Sequence, residues 1–240
     1  MKNKYFEVKN ISNSKSEIYI YGDIVSAEWE KWTEDDLCPV DVKAAVNSIG
    51  DKDVDIHIYS AGGSVFAGEA IKGMFDRLSG HKTVYIEGLA ASIASVIAMC
   101  YDELHISDGS YMVIHNPSTS VMGSAEELRQ TADLLDKIKD GIIESYSSRL
   151  AEGFDESKLP EMLDAETWLN ATEVEQMFKN VKIDGKQLLT AKINNSMLKT
   201  LNKIPDDLIV PENRKEPKFN LDDLKTALEC EKIANEIKLL

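Results

Sequence analysis

Between residues 53 and 80 the hydrophobic period of the chain switches from two to about 3.6 across a pair of glycines, and this switch narrows the fold class sharply. Asp53-Val54-Asp55-Ile56-His57-Ile58-Tyr59 alternates strictly, with Val54, Ile56 and Ile58 on one face, as in a strand with one buried face. Ser60-Ala61-Gly62-Gly63-Ser64 follows as a turn. Val65, Ile71, Met74, Phe75 and Leu78 then recur at helical spacing, and Gly80 closes the helix. Thr83-Val84-Tyr85-Ile86 begins a further strand that ends at Gly88, and Glu17 to Tyr21 supplies an earlier one that ends at Gly22. Strands alternating with helices predict an α/β fold around a largely parallel sheet.

Residues 90–100, AASIASVIAMC, are small and apolar all round and read as a buried helix. Two short strands are expected near Leu104–Ile106 and Tyr111–Ile114. A long helix is expected from Ser124 to Leu150, opened by a capping box of Ser124 with Glu127. Leu128, Leu135, Ile138, Ile142, Tyr146 and Leu150 form its apolar stripe. Pro205, Pro211 and Pro217 mark an irregular linker, and Asn220 is placed to cap a last amphipathic helix. The chain therefore divides into a main domain, 1–192, and a linker with a C-terminal helical extension, 193–240.

Composition excludes several partners. Lys plus Arg number 27 against 42 Asp plus Glu, a net charge of -15 that would repel a nucleic-acid backbone and an anionic membrane surface alike. The excess acid lies almost wholly on 1–192. No apolar run reaches the roughly 18 residues of a membrane span. Cys38, Cys100 and Cys230 have neither zinc-site spacing nor a disulfide pattern, and the first ten residues hold no apolar leader core, so a reducing cytoplasm is expected.

The residues that could carry chemistry are few. Gly62-Gly63, between strand and helix, would let backbone N–H groups face an anion, although the phosphate-loop and dinucleotide patterns are both absent. Ser92 opens an apolar helix, where the helix dipole favours developing negative charge, and Ser95 lies one turn deeper. Of the histidines, His57 sits in the alternating strand, His105 in a short strand and His81 after a helix stop. His115 ends an apolar run and precedes Asn116-Pro117, which suits projection into a cleft.

Taken in order, SAGGSVFAG, GLAASIAS, MVIHNP and ETWLNATE resemble the proteolytic subunit of Clp protease, nearest to the prohead-protease-like branch of phage capsid gene clusters. The resemblance covers residues 17–175. The family's Ser-Pro-Gly-Gly-Ser-Val stands here as Ser60-Ala61-Gly62-Gly63-Ser64-Val65. Its Ala-Ala-Ser-Met-Gly/Ala stands as Ala90-Ala91-Ser92-Ile93-Ala94, and its Met-Ile-His-Gln-Pro as Val113-Ile114-His115-Asn116-Pro117. The resemblance implies that Ser92 is the nucleophile, His115 the general base, and the N–H groups of Gly63 and Ile93 the oxyanion hole. The acid of the triad would be Glu166, where the family has Asp before Arg-Phe-Met/Leu-Ser/Thr-Ala, with Asp164 as its rival. Ala61 replaces a proline, and the family's Gly-Leu-Ile/Val-Asp close is blurred into Phe178-Lys179-Asn180-Val181.

The same resemblance implies a Clp protease/crotonase-like fold of repeated β/α turns, with the long helix as the handle that packs one ring of subunits against another. It implies a serine endopeptidase acting on polypeptide without metal or organic cofactor, assembled as a ring-shaped homo-oligomer. An unfolding ATPase or capsid proteins would be its partners. Two rival readings remain at this stage. One is a crotonase-type acyl-CoA enzyme, which uses paired N–H groups but no Ser–His pair. The other is a non-catalytic assembly or scaffold protein, to which the tail and the altered acid position lend weight.

Overall fold

The computed structural model describes residues 9–10 and 14–185. The proline linker, the last helix, Cys230 and the proposed boundary at 192/193 lie outside the described residues. The strands are β1 (Lys9–Asn10), β2 (Lys15–Tyr21), β3 (Asp53–Ser60), β4 (Lys82–Ala91), β5 (Glu103–Ser107), β6 (Tyr111–Ile114), β7 (Thr167–Asn170) and β8 (Val181–Asp184). The helices are α1 (Pro39–Ile49), α2 (Val65–Asp76), α3 (Ile93–Ala98), α4 (Ala125–Ser147), α5 (Leu159–Ala165) and α6 (Ala171–Met177). One sheet runs β1-β2-β3-β4-β5-β8, and β6 joins its side by pairing with both β4 and β7. All these pairs are parallel except β1–β2 and β6–β7. The α/β reading of the sequence is therefore met by a mixed sheet with a parallel centre. Among the described residues no helix is long and apolar enough to cross a membrane.

Strand β4 is the branch point. Its first half, Thr83–Ile86, pairs with β5, and its second half, Leu89–Ala91, pairs with β6. The change of partner falls at Gly88, whose φ of 102° bends the strand and whose N–H donates to Ser110 Oγ at 2.8 Å. The β3–β4 register slips at the same level, between Ile58 and Ser60. The end of β4 is thereby steered out of the main sheet and into the β6–β7 pair.

This corrects the expected helix over residues 90–100. Ala90 and Ala91 belong to β4 and pair with Met112 and Val113, and α3 is only Ile93–Ala98. A run that is apolar on every side carries neither period, so sequence alone cannot divide strand from helix within it. Helix α4 has the expected cap, with Ser124 Oγ accepting from Glu127 N–H and the Glu127 carboxylate accepting from Ser124 N–H. Its stripe is split, however. Ile142 and Tyr146 are buried in the core, Leu135 and Ile138 are half-buried, Leu128 is exposed, and Leu150 lies beyond the helix end. The first half of α4 thus projects from the body of the domain.

The blurred close also has a clear geometry. Asn180 takes a φ of 56° at the entry to β8, a conformation that Asn tolerates better than other side chains, and its Nδ2 donates to Asp102 O at 3.3 Å. Strand β8 then pairs with β5 from Leu104↔Val181 to Ser107↔Asp184.

Candidate active site

Ser92 is the single residue between the last residue of β4 and the first of α3, with φ 55° and ψ -130°. A non-glycine residue in that region costs on the order of 1–3 kcal/mol and persists only where its surroundings impose it. Here they do. Ser92 N–H donates to Val113 O at 2.9 Å on one side. On the other, Ile93 packs so tightly on α2 that a Cβ on Gly68 would fall 2.1 Å from Ile93 Cγ1. The serine is held at a sharp strand-to-helix turn, partly exposed, at the edge of the core.

The Gly62-Gly63 turn lies against it. A Cβ on Gly62 would fall 2.7 Å from both Ala91 O and Ser92 Cβ, and both glycines have positive φ, 98° and 142°. The turn is pinned by a short ladder to the segment after β2. Ile24 N–H donates to Gly62 O at 2.8 Å and Ser64 N–H donates to Ile24 O at 2.7 Å. The buried Ser60 hydroxyl donates to Gly22 O at 2.6 Å and accepts from Gly62 N–H at 3.1 Å. Among the described residues this ladder uses the N–H groups of Gly62 and Ser64 and leaves those of Gly63 and Ile93 out of it. The anchoring roles of Ser60 and Ile24 are not visible in the sequence; the only hint is that Ser60 opens the glycine tract.

Register delivers the other two residues. The β4–β6 ladder ends at Ala91↔Val113, and the β6–β7 ladder ends at Ile114↔Thr167. One step beyond the β6–β7 ladder His115 falls opposite Glu166, and one step beyond the β4–β6 ladder Ser92 falls at the level of Ile114, the residue before His115. His115 Nδ1 lies 3.8 Å from Glu166 Oε2, an ion-pair contact rather than a hydrogen bond, and the two side chains are only 10% and 7% exposed. Glu166 ends α5 in the left-handed region (φ 52°, ψ 80°), and that turn brings its carboxylate inward. Burial pulls the His115 imidazole below the ordinary histidine pKa, and the Glu166 charge opposes part of that shift. Among the described residues no hydrogen bond joins Ser92 Oγ to the His115 ring, and such bonds commonly tighten only with substrate bound.

Asp164 is placed differently. Its side chain is 58% exposed and accepts from Lys139 Nζ of α4 and from Asn116 Nδ2 at 2.7 Å. It ties the loop after His115 to the long helix, and these two donors hold its carboxyl below the ordinary carboxylate pKa. The other serines are also occupied. Ser95 is buried, donates to Ser92 O at 2.5 Å and meets Tyr146 OH at 2.8 Å, so it braces α3 against α4. Ser64 caps α2 and meets Ser26 Oγ at 2.9 Å. His57 and His105 lie on mid-strand positions and pair with carboxylates, and His81 is exposed.

Residues 9–177 match the family described as Clp protease. The ATP-dependent Clp protease proteolytic subunit 1 of Protochlamydia amoebophila is 30% identical over 120 residues, covering 48% of this chain and 57% of that protein. The ATP-dependent Clp protease proteolytic subunit of Bacteroides fragilis is 30% identical over 127 residues, covering 52% and 60%. The subunit 1 protein of Chlamydia abortus is 32% identical over 120 residues, covering 48% and 62%. The chain thus spans about three fifths of the length of the curated relatives it matches. With residues 9–177, more than half of its length, matched by that family, the chain belongs to the Clp protease family.

Proposed function

We propose that the chain is a serine endopeptidase in which Ser92 is the nucleophile, His115 the general base and Glu166 the residue that orients the imidazole. The observation that carries this reading is the convergence of three strand ends on Ser92, His115 and Glu166, with Ser92 held at a strained turn. A serine hydroxyl attacks a peptide carbonyl only when a base takes its proton. In this reading His115 Nε2 takes it as Ser92 Oγ bonds to the carbonyl carbon. The N–H groups of Gly63 and Ile93 bind the oxyanion of the tetrahedral intermediate, a contribution of about 3–4 kcal/mol per donor in other serine proteases. His115 then returns the proton to the departing amine, and water hydrolyses the acyl-enzyme by the same route in reverse. A crotonase-type reaction needs no Ser–His pair, so the pairing of Ser92 with His115 proposed here speaks against it.

A fluorophosphonate probe tests the reading. Wild type is expected to form one covalent adduct, mapped by mass spectrometry to Ser92, and Ser92→Ala to form none. An adduct on Ser64 or Ser95 would overturn the assignment. Absence of any adduct in the folded protein would favour a scaffold role.

The projecting half of α4 supports a second part of the proposal. Its exposed Leu128 and Leu134, and the exposed Met122 just before the helix, are apolar side chains open to solvent that suit packing against another copy in a ring-shaped homo-oligomer. Analytical ultracentrifugation at micromolar concentration is expected to give a species several-fold heavier than the 26.8 kDa chain. A monomer throughout that range would refute assembly through α4. An ATP-driven unfolding protein is the partner proposed from the names of the relatives.

A further inference from the structure

Alternation along β2–β5 sends Ile18, Ile56, Val84 and Ile106 into the core, and the residues between them stand on the opposite face of the sheet. There the register aligns Tyr19, His57, Tyr85 and His105 across four strands. The His57 ring is stacked between Tyr19 and Tyr85, with centroids 4.5 and 4.8 Å away and planes within 11°. Its Nδ1 lies 2.9 Å from Glu87 Oε1. A carboxylate only accepts, so the proton of a neutral imidazole sits on Nδ1 and Nε2 keeps its lone pair. That Nε2 is buried and has no hydrogen-bond partner.

One pleat back along β3, Asp55 is only 6% exposed. Lys15 Nζ holds its Oδ2 at 2.7 Å, while its Oδ1 is buried without a partner. Glu17 stands opposite Asp55 in the β2–β3 ladder and accepts from Tyr19 OH at 3.0 Å. One ligand atom from each of Glu17, Asp55 and His57 can be chosen so that all lie within 4.8 Å of one another. Two members of the cluster, Asp55 and His57, thus each carry a buried acceptor atom without a hydrogen-bond partner. Glu17, Asp55 and Glu87 stand close together with Lys15 paired to Asp55, a grouping of negative charge that suits a dication.

We propose that Glu17, Asp55 and His57 form a binding site for a divalent transition-metal ion of the zinc class, with Glu87 orienting the histidine from behind. A carboxylate on the far nitrogen of a ligating imidazole is the usual way such a ring is fixed. One imidazole nitrogen and two carboxylate oxygens suit zinc, with a fourth position left for water, and disfavour magnesium or calcium, which take oxygen ligands. Bonds of about 2.0–2.1 Å would bring the ligand atoms to roughly 3.3 Å apart, a closure within reach of the flexible Glu17 stem. His105 in the same row offers no such ligand, because both its nitrogens already face carboxylates, Glu103 at 2.6 Å and Asp184 at 2.9 Å. The site is independent of the peptidase reading, since it uses none of that site's residues.

The test is calorimetric titration of the chelator-stripped full chain with Zn²⁺, alongside Co²⁺ titration followed by visible absorption. One saturable Zn²⁺ per chain and a tetrahedral-type Co²⁺ spectrum are expected. His57→Gln and Asp55→Asn are expected to weaken binding at least about tenfold, while His105→Gln and His115→Gln leave it unchanged. Circular dichroism checks each fold, and Glu17→Gln gives the same readout should either β3 variant fail to fold. Absence of saturable binding would overturn the proposal. So would binding that these ligand variants leave intact, binding that His105→Gln or His115→Gln removes, or Mg²⁺ binding as tight as Zn²⁺.

Discussion

Ser92→Ala and His115→Ala are each expected to lower kcat on a peptide substrate by about 10⁴-fold or more, and the double variant by no more than the worse of the two. In the proposed mechanism the two residues act as one unit. Without the hydroxyl there is no proton for the imidazole to take, and without the imidazole the hydroxyl stays a weak nucleophile. Independent contributions would instead multiply. A double variant much slower than either single one would mean that the two side chains serve different steps. Backbone strain supplies a control. Ser92 has a φ of 55°, so Ser92→Gly should be as inactive as Ser92→Ala yet relieve strain of about 1–3 kcal/mol. Glycine returns part of that as unfolded-state entropy, about 0.5–1 kcal/mol. A net rise in unfolding free energy of about 1 kcal/mol, read from denaturant curves, is expected. An active-site serine whose removal stabilises the fold is placed for chemistry rather than for packing.

The parts of the fold legible in the sequence are those where burial alternates. β3 alternates because one face meets the helices and the other does not, so Val54, Ile56 and Ile58 declare the strand and its register together. The start of α4 is equally legible, since the Ser124–Glu127 cap is written in the two residues that make it. Residues 88–100 are not legible in this way. Apart from the half-buried Gly88 and Ser92 they are enclosed, so the passage from β4 through Ser92 to α3 leaves no periodic trace. The serine itself could be singled out only by its neighbours in a known pattern. The cluster of Glu17, Asp55 and His57 is hidden for another reason. Glu17 is 38 residues before Asp55 and 40 before His57, and it meets them only through the parallel register Glu17↔Asp55 of β2 and β3.

Glu166→Gln is expected to lower kcat by about 10⁴-fold, and Asp164→Asn to change it by less than about fivefold. The family resemblance favours Glu166, but Asp164 stands only two residues before it at the end of one short helix and is its rival in the sequence. Glu166 turns inward through its left-handed backbone to within 3.8 Å of His115, whereas Asp164 remains exposed on Lys139 and Asn116. The pH profile gives an independent reading. His115 must be neutral to act as a base, so kcat/KM falls as pH drops through its pKa. Burial sets that pKa below the ordinary value of about 6.5, and the acid limb is expected there. The Glu166 charge raises it, so Glu166→Gln should move the acid limb to lower pH while Asp164→Asn leaves it in place. The opposite pattern, with turnover lost and the limb displaced in Asp164→Asn alone, would transfer the role to Asp164. If neither variant changes rate or profile, the site works as a Ser–His dyad, and the burial of Glu166 serves the fold instead.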